Sequence, residues 1–171
     1  MSWHTNAILI RNDLSKDYDG LFEKLGLIGG QATGTVSFDD AASTFNEGVA
    51  VGTVDGLTAL WGSLALVMVD EKALAKIAKK SNVLQIILEG TSSTAGFTWW
   101  NDGKVVRKWM RQDGEVIMND GKPLREEKKA FIDEDDEQAV LRLLMSLTLP
   151  LANFQAIEYQ MYSFPEDALF G

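Results

Sequence analysis

Five consecutive carboxylates, Asp133, Glu134, Asp135, Asp136 and Glu137, are the densest set of potential ligands in the chain. Their oxygens are of the kind a hard cation takes, yet the run lacks the glycine of the D-x-[DN]-x-[DN]-G calcium loop. It also stands where a helical pattern begins, and negative charge there is favoured by the N-terminal end of the helix dipole. Helix initiation is the commoner role for such a run. The functional alternative is that, together with Glu126 and Glu127, it imitates a polyanion for a basic protein partner, an arrangement that raises association rate and selectivity. His4 is the sole imidazole and cysteine is absent, so no second histidine or thiol can complete a dyad with it. Cys-ligated and multi-histidine metal sites are excluded on the same ground. A strand-end hydrogen bond is the expected role of His4.

Other candidate chemistry has a structural explanation beside it. The glycine-rich stretch from Gly26 to Gly34 follows a helical pattern, whereas phosphate and dinucleotide loops follow a strand and open a helix; it reads as a helix stop and a turn. The hydroxyl-rich stretch Gly90-Thr91-Ser92-Ser93-Thr94-Ala95-Gly96 does not match G-x-S-x-G and reads as a loop between strands. Lys72, Lys76, Lys79 and Lys80 form one helix face long enough to meet phosphates, but a solvated face is the commoner meaning. No cofactor motif is present, and no cofactor is expected.

Charge arrives in blocks. The 171 residues carry a net charge of −9, but residues 72–125 are net +5 between two segments of −7 each. That overall sign opposes binding to nucleic acid or to an anionic membrane surface. Hydrophobic residues are 46% and charged residues 24%, close to globular averages. With no Pro-, Gly- or Ser-rich linker, residues 1–171 read as a single domain. No secretion pattern is readable at the start, and the apolar run Leu64–Val69 is far shorter than the roughly 20 residues that span a bilayer. The expected location is cytoplasmic.

The elements that position these residues follow from periodicity. Leu14, Tyr18, Leu21, Phe22 and Leu25 recur at helical spacing, with Asp13 or Ser15 as N-cap and Gly26 as the stop. A second helix is predicted over Asp70–Ser81, with Leu74, Ile77 and Ala78 opposite the lysines. A third, over Glu134–Leu149, has a polar stripe only one residue wide (Gln138, Arg142, Ser146), so it must be covered on most sides before Pro150 ends it. Asp-Gly pairs at 55–56, 102–103, 113–114 and 120–121 signal tight hairpin turns; the copy at 19–20 lies inside a helical pattern and is discounted. Strands are predicted at His4–Arg11, Thr33–Phe38, Val49–Val54, Leu57–Trp61, Leu64–Val69, Val83–Glu89, Ala95–Asn101, Lys104–Gln112, Glu115–Asn119 and Ala156–Tyr162. The fold expected is α+β, an antiparallel β-meander sheet with about three helices packed mainly on one face.

With two-residue turns at 102–103 and 113–114, Trp100 faces Val105, Thr98 faces Arg107, Gly96 and Met118 face Trp109, and Arg111 faces Val116. Strand alternation then collects Phe97, Trp99, Val106, Lys108, Met110 and Ile117 on one surface, which looks like core. The other collects Trp100, Val105, Arg107, Trp109, Arg111, Val116 and Met118. Two tryptophans beside two arginines make cation–π pairs and match the residue types enriched at interface hot spots. The alternatives are an amphipathic outer face, with Trp109 covering the gap at Gly96, or burial of this face by a neighbouring element.

The tract Gly96-Phe97-Thr98-Trp99-Trp100-Asn101-Asp102-Gly103-Lys104 follows a lysine-rich helix and a strand and precedes Gly121-Lys122-Pro123-Leu124. Over roughly Leu57–Glu127 this layout resembles small uncharacterised bacterial α+β domains of the toxin-immunity or defence-associated type. The resemblance implies a bacterial, cytosolic, non-catalytic domain and carries over no functional residue. The function expected is therefore a non-catalytic, acidic protein-binding module of immunity or inhibitor type that occludes another protein. Its expected binding groups are Trp100, Arg107, Trp109 and Arg111 and, separately, Asp133 to Glu137. The alternatives are a small-molecule-binding domain or carboxylate-based hydrolase with a pocket walled by Trp61, and a structural subunit of a homo-oligomer.

Overall fold

Three of the four Asp-Gly pairs have positive φ at both residues, the backbone that tight hairpins require: Asp55-Gly56, Asp102-Gly103 and Asp113-Gly114. They join β3 (Gly48–Val54) to β4 (Leu57–Gly62), β6 (Thr94–Asn101) to β7 (Lys104–Gln112), and β7 to β8 (Glu115–Asp120). The computed structural model describes residues 3–43, 48–62, 66 and 69–165. Among these, β1 (His4–Ile10), β2 (Gln31–Val36), β5 (Val83–Glu89) and β9 (Tyr159–Ser163) complete one antiparallel sheet in the order β2-β9-β3-β4-β1-β5-β6-β7-β8. The meander runs unbroken from β5 to β8; β1 enters between β4 and β5, and β9 between β2 and β3. The strand predicted over Leu64–Val69 lies mostly outside the described residues, within which Leu66 and Val69 are buried.

The fold is α+β as expected, with helices on both faces and more on one. α2 (Phe38–Ala41), α4 (Glu127–Ala130), α5 (Asp136–Leu147) and α6 (Leu151–Gln155) join the core that contains Leu9, Trp61, Leu84, Phe97 and Trp109. α1 (Tyr18–Lys24) and α3 (Glu71–Ile77) cover Ile8, Leu60, Val83 and Trp100 on the opposite face. Central strands are thus buried on both sides, and β1 from Thr5 to Ile10 is buried at every residue. At the sheet margins all of β8 and most of β2 are exposed.

Helix starts follow their caps. Asp70 accepts the Lys72 N–H at 3.0 Å ahead of α3, and Asp135 accepts the Gln138 N–H at 3.1 Å ahead of α5. The first helix begins later than its apolar spacing predicts: Asp17, not Asp13 or Ser15, is its cap and accepts the Gly20 N–H at 2.9 Å. The reason is that Leu14 donates its N–H to Thr58 Oγ1 at 2.9 Å while Asp13 holds the Ser15 N–H in a turn. The segment before Asp17 is therefore tied to the sheet.

Asp120-Gly121 closes no hairpin. Gly121 has φ +83°, and a Cβ there would lie 2.2 Å from the backbone oxygen of Val106. Gly114 has φ +80° with nothing within 4 Å of a Cβ. Gly114→Ala should therefore cost about 1–2 kcal/mol of backbone strain, whereas Gly121→Ala should cost about 1–3 kcal/mol more because a backbone oxygen must move. Urea denaturation of both variants checks the ordering; equal losses would contradict it.

Candidate functional site

Two β-bulges decide where the Trp/Arg residues go. Asn101 pairs with Lys104 and Trp100 with Val105, as two-residue turn geometry requires, but the register then shifts so that Trp99 pairs with Arg107, Thr98 with Lys108 and Phe97 with Trp109. A second shift follows Arg111–Val116, so that Met110 pairs with Met118 and Trp109 with Asn119. Val106 and Ile117 are the extra residues, and each insertion reverses the alternation beyond it. The expected pairings Thr98–Arg107, Gly96–Trp109 and Trp109–Met118 are corrected accordingly. A Cβ on Gly96 would meet the backbone of Trp109 and the side chain of Met110, so the expected indole over that gap is also corrected.

The four residues therefore do not share one open face. Trp100 is 1% exposed in the core under α1 and α3, while Arg107 and Trp109, 3% and 7% exposed, lie on the opposite face with Phe97. Trp109 packs edge-on against Phe131 at a centroid distance of 4.7 Å, and the Arg111 guanidinium sits 5.8 Å from the Trp109 ring. The cation–π contact is present, but as part of a covered face.

Arg107 is the polar centre of that face. Its Nε and Nη2 each donate to the Glu127 carboxylate at 3.1 Å. Nη1 donates to Asn119 Oδ1 at 2.6 Å and to the carbonyls of Gly121 at 3.1 Å and Asp120 at 3.3 Å. Glu127 also accepts the Leu124 N–H. A buried guanidinium is tolerable only with such saturation, and this one holds α4 against β7 and the end of β8.

The acidic run is largely spent on architecture. Asp133 meets Arg142 Nη2 at 3.0 Å and accepts the Asp135 N–H; the Arg142 bond is the chief reason its carboxyl is held below the usual aspartate range. Asp135 caps α5, Asp136 meets Arg111 at 3.3 Å, and Glu137 accepts the Trp3 N–H at 3.2 Å. Glu134 is exposed. Four of the five carboxylates thus have partners within the fold. Trp61, expected to wall a pocket, is wholly buried between Phe38 and Phe154, with centroids at 5.1 and 5.8 Å.

No family model matches this chain, and no curated protein and no solved structure matches it significantly. Among the described residues no group of three or more His, Asp or Glu side chains is arranged to hold a metal ion, and no helix is long and apolar enough to cross a membrane.

The surface features that periodicity missed are at the margin and in a cleft. β8 carries Val116, Ile117 and Met118 at 44, 49 and 37% exposure, and Val105 and Val106 at the start of β7 are exposed as well. On the α1/α3 face, a cleft of about 460 Å³ is lined by Leu14, Leu21 and Ile77 and by Lys24, Lys76 and Lys80. The three consecutive apolar residues of β8 were the available signal for the first; the second joins residues fifty positions apart, which local spacing does not connect.

His4 forms the strand-end bond expected of it, Nδ1 to Glu89 Oε1 at 2.5 Å between paired β1 and β5. Burial pushes the Glu89 carboxyl up, but the His4 bond and the Thr91 N–H outweigh it and hold the group below the usual glutamate value. A depressed folded-state value stabilises the fold above the unfolded carboxyl's titration, and that contribution is lost as pH falls through the folded value. Glu89→Gln should therefore lower the melting temperature at neutral pH, with the gap to wild type closing below the ordinary glutamate range. A gap that widens under acid would contradict the assignment. For the clamp, Arg107→Met or Glu127→Met alone should each cost about 3–5 kcal/mol, and the double variant far less than their sum, because a lone buried charge is worse than none. Additive losses in chemical denaturation would show that the pair is not coupled.

Proposed function

We propose that this chain is a non-catalytic binding module of immunity or inhibitor type, which occludes a partner protein by pairing its β8 edge with an extended segment of that partner. The observation that carries this reading is the chemistry of β8. It is a terminal strand of the sheet with all six residues exposed, and three successive large apolar side chains lie in its middle. Native proteins usually blunt such an edge, because its unpaired N–H and C=O groups template another strand. β8 keeps three large apolar residues despite its bulge at Ile117, whereas the opposite margin, β2, reads Gln-Ala-Thr-Gly-Thr-Val and has a single branched apolar residue, Val36.

Charge specifies the occupant. Glu115 and Asp120 bracket the apolar residues, so a strand with an apolar centre and basic flanks complements these two carboxylates. A second copy of the chain is a poor occupant: two-fold antiparallel self-pairing centred on β8 sets Glu115 opposite Asp120, and like charges directly opposed are destabilising. Main-chain bonds would supply affinity, and alternate side-chain positions selectivity, as in other strand additions. Arg107, Trp109 and Arg111 support this edge from beneath the α4–α5 layer and do not themselves touch the partner.

Selection of phage-displayed random peptides on the immobilised protein tests the reading. Wild type should enrich sequences with alternating apolar residues and basic flanks. Ile117→Lys, on an exposed position that leaves the melting temperature unchanged, should weaken a selected peptide by at least about 30-fold, a hot-spot loss near 2 kcal/mol. Ile28→Lys, at another exposed apolar position, should leave binding unchanged. No enrichment, equal binding by the Ile117 variant, or a dimer abolished by that variant would each overturn the assignment.

A further inference from the structure

We infer that the cleft between α1 and α3 is a binding site for a small amphipathic anion, an acidic head group on an apolar body. It shares no residue with the β8 edge. Its volume, about 460 Å³, falls within the range of roughly 300–1,000 Å³ typical of small-molecule pockets. Its apolar surface comes from Leu21 of α1, Ile77 of α3 and Leu14 of the segment before α1. Leu14 and Ile77 are only half-buried, although the rest of the apolar side of each helix packs on the sheet. The helices thus leave apolar surface facing open space between them.

Three exposed lysines also line the cleft. Lys24 is in the last turn of α1, Lys76 in the last turn of α3, and Lys80 just beyond it. Cations near helix C-termini are favoured by the dipole, which explains their presence on each helix separately. It does not explain their convergence on one cleft without acid partners. Among the described residues the ion pairs use His4, Arg107, Lys108, Arg111, Arg125 and Arg142, and none uses Lys24, Lys76 or Lys80. A chain with nine more acids than bases has left this cluster uncompensated. The adjoining hollow of about 410 Å³ shares Lys80 and Ser81 and adds Arg11, Lys79 and a single carboxylate, Asp102, so the positive rim continues around the end of α3. Asn12 and Ser81 also line the main cleft and offer neutral hydrogen-bonding groups beside the lysines.

This arrangement selects for both halves of a ligand. Lysine heads attract an anion at a partly dehydrated site more strongly than in bulk water, and the leucine and isoleucine surface rewards an apolar body by about 25 cal/mol per Å² removed from water. Inorganic phosphate lacks the second half, and an uncharged alcohol the first.

Titration with 1-anilinonaphthalene-8-sulfonate, which combines a sulfonate with fused rings, tests the site in the intact chain. We expect saturable binding at one site, weakened by salt, displaced by decanoate, and little affected by decanol or inorganic phosphate. Decanoate and phosphate distinguish an acyl carboxylate from a free oxyanion as the natural head. The variant Lys24→Gln/Lys76→Gln/Lys80→Gln, changed only at exposed positions, should retain its melting temperature and lose affinity more than 10-fold. Absence of saturable binding, equal affinity in the triple variant, displacement by decanol as effective as by decanoate, or displacement by phosphate alone would overturn the inference.

Discussion

The arrangement of the second half of the sheet depends on one buried cation. The Arg107 guanidinium, on β7, is satisfied by the Glu127 carboxylate from α4 and by three oxygens at the end of β8 and the turn after it. Removing a guanidinium from water is recovered only when every direction finds an acceptor, so β7, β8 and α4 are held in one relative position. α4 leads into Phe131, whose ring meets Trp109 and Phe97, and then into α5, whose apolar residues cover β5 and β6. The ion pair thus fixes where this cover sits, and the apolar contacts of Phe131 and α5 hold it on the Trp109 face. Because the cover stops at α4 and α5, β8 remains the uncovered edge.

Much of this architecture was legible in the sequence. The tight turns at Asp55, Asp102 and Asp113 announce themselves because positive φ restricts residue choice, and the limits of β5 and β7 agree with their apolar runs. The two bulges were not legible. Val106 and Ile117 are β-branched residues in β-rich runs, so nothing in their type marks them as extra; only the three-dimensional pairing does. Each shift changes which side chains share a face, and an apparent Trp/Arg patch becomes a tryptophan in one core and a clamp in the other. Glu127 was similarly hidden, because its carboxylate seems part of an acidic surface until Arg107 is found against it.

The same distinction separates charge that builds the fold from charge that remains available. The loudest acidic run becomes a helix cap, two ion pairs and a backbone acceptor, so the feature most visible in one dimension is the one most consumed in three. The lysines show the converse. Spread over two helices and the turn after α3, they look like ordinary solvated positions, and only the approach of α1 to α3 puts Lys24 on the same cleft as Lys76 and Lys80, with half-buried Leu14 and Ile77. Their spacing within α3 was readable, but their convergence with α1 was not.

The proposed role is a strand edge offered to a partner, with the Arg107 clamp keeping the neighbouring faces closed. Amide hydrogen exchange of the isotopically labelled chain, alone and saturated with a selected strand-forming peptide, tests this most directly. The predicted result is slowed exchange confined to alternate amides of Glu115–Asp120, with α4 and α5 unchanged. Protection that falls on α4 and α5, or on β2, while β8 exchanges as before would contradict the account.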